Sequence, residues 1–199
     1  MRLKKMLIQK DGADSADIAA SFLKSGKVII IPTDTIYGFS GIVPYTKREI
    51  FKIKRRPPSK ELITLIAEPE DIFNYTSSSV PKELFGLWPA PLTLIVKDTE
   101  NGSSSAFRCP DDDWLRSVIK KTGAPIYSTS VNYSASPALT KIEDIKKEFE
   151  DIIPLIVDGG KVYNDKICAA STIISLVGEK PAVIREGAVG TDFLFNTKY

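Results

Sequence analysis

The chain has 199 residues, 43% of them hydrophobic, with 27 Lys+Arg against 25 Asp+Glu and no histidine. This is enough apolar content for a folded core, and a formal net charge of +2 is too small to demand a nucleic-acid partner. The missing histidine excludes Ser-His-Asp and Cys-His triads, imidazole proton shuttles and histidine-based zinc sites, so catalysis must rest on cations, hydroxyls, carboxylates or the substrate's own groups.

The basic N-terminus, Met1 to Asp11, has too short an apolar stretch for a signal peptide, and nowhere do 18 apolar residues run together, so a cytoplasmic protein with no membrane contact is expected. Ser15 to Lys24 places Ile18, Ala19, Phe22 and Leu23 on one helical face, with Asp14 or Ser15 as cap and Gly26 as stop. Lys27 to Ile31 is a β-branched run closed by Pro32, expected as a strand buried on both faces, and Thr33 to Gly38 leaves it as a polar turn. Thr46-x-x-Glu49 reads as a capping box opening a helix through Ile50, Phe51 and Ile53. Pro57 and Pro58 end that helix, and Leu62 to Ile66 reads as the next strand.

Further strand-like runs fall at Leu92 to Val96, Ile126 to Tyr127, Ile152 to Val157, Thr172 to Leu176 and Ala182 to Ile184, with helical patterns at Trp114 to Lys121 and Ile142 to Phe149. Ser77 to Ser79 and Gly102 to Ser105 read as short loops. The alternation predicts an α/β class. Because the last strands follow one another without helices, the sheet should be a twisted, open, mixed parallel and antiparallel one flanked by helices. No linker divides the chain, and residues 1–199 are expected to form a single domain. Cys109 and Cys168 lack Cys-x-x-Cys spacing and are expected as ordinary packed thiols.

Neither a P-loop nor a Gly-x-Gly-x-x-Gly turn is present. Lys52, Lys54, Arg55, Arg56 and Lys60 are read either as a phosphate site, since an anion would relieve their mutual repulsion, or as a solvated basic helix end favoured by the helix dipole. Four other polar elements end apolar runs, where α/β sheets bind ligands: Thr33 to Thr35, Arg108, Ser128 to Asn132, and Arg185.

In chain order the motifs are Pro-Thr-Asp-Thr-Ile-Tyr-Gly, Lys-Arg-Arg-Pro, Trp-Pro-Ala-Pro-Leu-Thr, Phe-Arg-Cys-Pro, Ser-Val-Asn, Ser-Thr-Ile and Ile-Arg-Glu-Gly-Ala. As a set they resemble the YrdC-like family of threonylcarbamoyl-AMP synthases over about residues 15–190. The resemblance implies a YrdC-like fold in its short form, with no additional C-terminal domain. It also implies an activity that joins L-threonine, bicarbonate and ATP into threonylcarbamoyl-AMP with release of pyrophosphate, for threonylcarbamoyladenosine in tRNA. By the same resemblance Lys54 and Arg56 act as catalytic residues on the ATP phosphates, with Lys60 alongside. Ser104, Ser130, Asn132 and Arg185 also contact ATP, and Thr35, Arg108 and Ser171 hold threonine. Mg2+ arrives with ATP, and no organic cofactor or protein metal site is implied. The partners implied are separate threonylcarbamoyl-transfer proteins and double-stranded RNA or tRNA.

The chain departs from the family pattern at Leu65, where many relatives have histidine, at Arg55, at Ala90 and Ala135 in place of glycine, and at Glu186 in place of proline. Leu65 implies a variant threonine pocket. Glu186 is placed to pair with Arg185 and weaken ATP binding. Two alternatives stand beside the synthase: a YciO-like paralogue, and a double-stranded RNA-binding or rRNA maturation protein without synthase activity. For the synthase, Lys54→Ala is expected to abolish threonine-dependent pyrophosphate release with little change in thermal unfolding.

Overall fold

Three apolar clusters divide the protein, and a ten-stranded sheet runs through all of them. The structure is a computed structural model that describes residues 5–55, 57, 61–99, 102–164 and 169–192, excepting the side chains of 162 and 164. The strands are β1 (Met6–Gln9), β2 (Ile29–Ile31), β3 (Gly38–Ile42), β4 (Ile63–Leu65), β5 (Leu92–Lys97), β6 (Ser104–Arg108), β7 (Ile126–Ser130), β8 (Leu155–Asp158), β9 (Thr172–Ser175) and β10 (Ala182–Arg185). The helices are α1 (Ser15–Lys24), α2 (Lys47–Lys54), α3 (Lys82–Phe85), α4 (Asp113–Thr122), α5 (Ile142–Phe149) and α6 (Gly160–Asn164), with a 3-10 turn at Pro69–Asn74. The sheet order is β1-β8-β2-β3-β7-β4-β6-β5-β9-β10. Four neighbouring pairs are parallel (β1/β8, β2/β8, β4/β6, β5/β9) and five antiparallel, giving the mixed sheet expected from the sequence.

Strand alternation decides what each helix covers. Ile29, Ile31, Leu65, Ile126, Leu155 and Val157 point to one face, where α1 and α4 pack through Ala19, Leu23, Leu115, Val118 and Ile119. Ile30 points the other way, with Phe39 and Ile156, into the layer of α2 and α5. β2 is therefore buried on both faces, as its unbroken isoleucine run implies. The half of the sheet containing β5, β6 and β9 packs Leu92, Leu94, Phe107 and Ile174 against the 69–74 turn and α3 on that second face.

Several expectations needed correction. Thr46 does not close a capping box: its hydroxyl donates to the Ile42 carbonyl at 2.9 Å instead. The run starting at Ile152 begins as a turn, with Ile152 N–H bonded to the Phe149 carbonyl, so the strand starts only at Leu155. Gly102 to Ser105 is not wholly loop, because Ser104 already opens β6, pairing with Lys97. Ala135 sits at φ +69°, a left-handed conformation unfavourable for a β-carbon, whereas Ala90 has no positive φ.

Candidate functional site

On the face covered by α1 and α4, those helices stop short of β6, β5 and β9. The floor there carries Ile63, Ser128 and Ile173, and above it lies a cavity of about 220 Å3. Five of the residues singled out in the sequence line it together: Thr35, Arg108, Ser130, Ser171 and Arg185. They come from the β2–β3 connection, the end of β6, the end of β7, the approach to β9 and the end of β10. Gly38 lines it too, and a β-carbon there would meet the Ser128 hydroxyl at 2.6 Å, so glycine keeps this wall open.

Arg108 is the electrostatic centre. Its side chain is only 4% exposed; Nη1 donates to Thr35 Oγ1 at 3.2 Å, and Nη2 lies 3.2 Å from Asp34 Oδ1 in an ion pair whose aspartate is equally buried. Asp34 Oδ2 accepts from the Asp111 N–H at 3.2 Å. Burial pushes the Asp34 carboxyl above its ordinary value of 3.8 against the pull of Arg108, and burial also lowers Arg108. Desolvation thus outweighs attraction, and the pair is held charged at a cost, a pattern typical of sites rather than of stabilising ion pairs. Among the described residues, Arg108 Nε has no hydrogen-bond partner, so part of the guanidinium fork is left for a ligand oxygen.

Arg185 forms the opposite wall. Its Nε and Nη2 donate to the Ser171 carbonyl at 3.0 and 2.7 Å, and Nη2 reaches the Ser171 hydroxyl at 3.1 Å. That hydroxyl also bonds Thr93 Oγ1 at 2.9 Å. Burial and the nearby Arg108 both lower the Arg185 pKa; the two guanidiniums line one cavity together with Glu61, and Asp34 pairs with Arg108 behind it. Glu186 does not pair with Arg185 as expected; its carboxylate accepts from the Thr191 hydroxyl at 2.6 Å.

Lys54 is placed differently from the sequence expectation. Only 2% exposed, it turns away from the cavity: Nζ donates to the Ser130 carbonyl, to the Asn132 carbonyl at 3.0 Å and to Asn132 Oδ1 at 2.7 Å. Ser130 Oγ donates to the same Oδ1 at 2.6 Å, while the Ser134 N–H bonds the Lys54 carbonyl at 2.8 Å. The Ser-Val-Asn segment is thus braced by the end of α2. Arg55, left-handed at φ 51°, lays its guanidinium over the Tyr133 ring at 4.4 Å. Lys54 and Arg55 are thus both engaged with protein groups. Arg56 and Lys60 lie outside the described residues, as does Cys168.

Ser104 shares Arg108's face of β6 by alternation, but it is exposed and outside the cavity lining. Ser128, Ile63 and Ala106 form one row across β7, β4 and β6, so one pleat further along Ser130 and Ser104 flank Glu61, roughly 10 Å apart. Leu65 is fully buried against α1 and α4 and does not line the cavity. Asp34 and Ser128 lay inside polar elements read from the sequence but were given no individual role, and Tyr163 was not singled out. Asp34 sits inside the Pro-Thr-Asp-Thr motif, and Ser128 is two residues before Ser130 on one strand face. Tyr163 had no signal; it accepts from the Thr33 N–H at 3.2 Å and packs edge-on against Tyr37 at 4.8 Å.

Residues 21–187 match the Sua5/YciO/YrdC family, described as telomere recombination. A curated threonylcarbamoyl-AMP synthase of Pyrococcus abyssi is 30% identical over 86% of this chain and 54% of its own length. The chain spans about half the length of the curated relatives it matches first. The crystal structure of P. abyssi Sua5 complexed with L-threonine is similar at a TM-score of 0.80 and 28% identity, covering 92% of this chain and 57% of that one. E. coli YciO, at 22% identity and a TM-score of 0.82 over 96% of this chain and 99% of that one, shares the fold.

Proposed function

Because the chain belongs to the Sua5/YciO/YrdC family, we propose that it is an L-threonylcarbamoyladenylate synthase, forming threonylcarbamoyl-AMP and pyrophosphate from L-threonine, bicarbonate and ATP. The observation that carries the reading is the convergence of Arg108, Arg185, Thr35 and Ser171 on one cavity. Arg108, oriented by Asp34 and Thr35, offers its open Nε edge to the threonine carboxylate in a bidentate fork. The P. abyssi relative solved with L-threonine supports that choice of amino acid.

The threonine amine combines with bicarbonate to give a carbamate and water. A carbamate oxygen then attacks the α-phosphorus of ATP, and pyrophosphate leaves with the bonding electrons. This is a meeting of anions, so the protein's part is to position and neutralise, and it needs no histidine. In this reading Arg185, Ser130, Asn132 and Ser104 contact the nucleotide, and Arg56 and Lys60 take the phosphates. Lys54 acts behind them by holding Ser130 and Asn132. Magnesium in this proposal rides on the ATP phosphates, screening their charge. The product would pass, in the cytoplasm, to separate proteins that transfer threonylcarbamoyl to tRNA.

The test is pyrophosphate release from ATP with magnesium and bicarbonate, with L-threonine, with L-serine and without amino acid. Threonine-dependent release is expected. Its absence from folded protein would transfer the fold to a YciO-like or RNA-binding role.

A further inference from the structure

The connection between β2 and β3 carries Asp34 and Thr35, the two groups that hold Arg108, yet residues 32–37 form neither helix nor strand. Such a segment keeps one geometry only where its buried polar groups are tied down. Thr33 is its hub. The Thr33 hydroxyl donates to the Ile36 carbonyl at 2.8 Å, accepts from the Thr35 N–H at 3.2 Å and bonds Thr35 Oγ1 at 3.0 Å. Thr35 Oγ1 in turn accepts from Arg108 Nη1 at 3.2 Å. Whatever fixes Thr33 therefore fixes an acceptor that orients the guanidinium.

Two tyrosines tie this connection to the end of β8 and the start of α6. Tyr163 accepts from the N–H of buried Thr33 at 3.2 Å. Its ring meets the Tyr37 ring edge-on at 4.8 Å, and it lies so close to Gly159 that a β-carbon there would come within 2.6 Å of Cγ. Tyr37, at the other end of the connection, is fully buried; its hydroxyl accepts from the Gly159 N–H at 2.9 Å and reaches Asp158 Oδ1 at 3.4 Å. One pair of rings thus clamps the connection at both ends. Tyr163 is not in the cavity lining, so it acts on a ligand only through other residues. Its phenol nonetheless stands near enough to Arg108 to offset, with Asp34, part of the lowering that burial imposes on that guanidinium.

We propose that Tyr163 is a positioning residue for the amino acid: by holding Thr33 it sets the turn from which Thr35 and Asp34 orient Arg108. The inference rests on the reading of Arg108 as the group that takes the threonine carboxylate. Without the Tyr163 oxygen the Thr33 N–H is left buried and unsatisfied. The connection relieves that by rotating the peptide, which carries Thr33 Oγ1 and Thr35 with it and slackens the hold on Arg108. A bond that only satisfied a buried N–H would cost stability and leave both substrates equally affected. A positioning bond acts on the amino-acid side alone, because the Ser130–Asn132 segment is held separately by Lys54.

The experiment compares the full-length wild-type chain with Tyr163→Phe, which keeps both ring contacts and removes the oxygen alone. In ligand-free protein the 1H–15N resonance of Arg108 Nε should shift together with the amides of Thr33 and Thr35, while that of Arg185 Nε stays in place. In calorimetric titrations L-threonine should bind about three- to tenfold more weakly to the variant, with ATP and magnesium within about twofold of wild type. Gly159→Ala, which displaces the same ring, should reproduce this split, and it carries the test if Tyr163→Phe does not fold. Unchanged threonine affinity, equal weakening of threonine and ATP, or an unmoved Arg108 Nε in the folded variants would overturn the proposal. A wild-type chain that binds no threonine would instead remove the functional reading, and this inference with it.

Discussion

Lys54→Met should destabilise the protein by about 2–4 kcal/mol, reversing the expectation that removing this lysine leaves unfolding unchanged. Methionine keeps the stem over the Phe39 ring, where Nζ lies 5.5 Å from the centroid, and deletes only the ammonium. Two acceptors, the carbonyls of Ser130 and Asn132, then lose this donor, at roughly 1–3 kcal/mol for each group left buried and unsatisfied. Asn132 Oδ1 keeps the Ser130 hydroxyl as donor, so its loss is smaller. Release from burying a charge offsets part of the total. At roughly 2–4 °C per kcal/mol for a chain of this size, the midpoint should fall by about 4–16 °C in calorimetry without ATP. An activity loss alone does not discriminate, because methionine cannot hold a phosphate either. A midpoint within about 1 °C of wild type in ligand-free protein would refute the bracing role and return Lys54 to the phosphates.

On the proposal that its unpartnered Nε takes the threonine carboxylate, Arg108→Ala should raise the threonine KM at least tenfold more than the ATP KM; equal changes would misplace it. Asp34→Asn should flatten the acid side of the stability–pH curve. Burial raises the folded-state pKa of Asp34, so its contribution is full below the ordinary 3.8 and lost as pH rises through the folded value. Urea melts across the acid range should show this decline in wild type and not in the variant; parallel curves would contradict it. Ala135→Gly should stabilise by about 0.5–1 kcal/mol, the relief of left-handed strain outweighing the freer unfolded chain, as read from urea midpoints. A loss of stability would show that Ala135 packs better than it strains. Cys109, its thiol buried and pushed up to about 12, should resist iodoacetamide at pH 8 in a Cys168→Ser background until the protein unfolds. Above pH 9 the unfolded thiol ionises first, so stability should fall with rising pH there; fast labelling of native protein would place the thiol elsewhere.

Helices and buried strands were legible wherever one periodicity dominated. Ser15–Lys24 and Ile142–Phe149 appear as read, and the isoleucines of β2 announce burial on both faces. β3 and β6 were not legible, because Gly-Phe-Ser-Gly-Ile and Ser-Ser-Ala-Phe-Arg lack an apolar alternation. Only Gly38 of β3 and Arg108 of β6 line the cavity; Ser40 is fully buried and Ser104 lies outside the lining, so the polar positions of these strands serve no single face. The site could be read as a list of residues but not as a geometry. Arg108, Arg185 and Ser171 proved to be neighbours, whereas Lys54 is buried on the Ser130 and Asn132 carbonyls. Burial of a lysine on main-chain carbonyls depends on where a distant loop passes, and no local pattern in Lys-Arg-Arg-Pro reports it.

The places where the chain departs from its easiest conformation cluster at this site. Among the described residues the non-glycine positions with positive φ are Arg55 and Ala135, and they bracket the Lys54–Asn132 brace from its two sides. Arg55 must turn left-handed for α2 to end with Lys54 pointing at Ser130, and Ala135 must do so for the loop to return Ser136, whose carbonyl accepts from Asn132 Nδ2. Left-handed non-glycine residues persist only where the surroundings over-determine them. Across the cavity the buried Asp34–Arg108 pair is likewise held charged against desolvation. Two unrelated costs thus stand close to one small space, backbone strain behind Ser130 and charge burial at Arg108. Packing alone would have removed either by Ala135→Gly or by an apolar pair in place of Asp34 and Arg108. Their retention is explained by what each fixes: Ser130 and Asn132 on the nucleotide side of the proposed reaction, and a guanidinium edge on the amino-acid side.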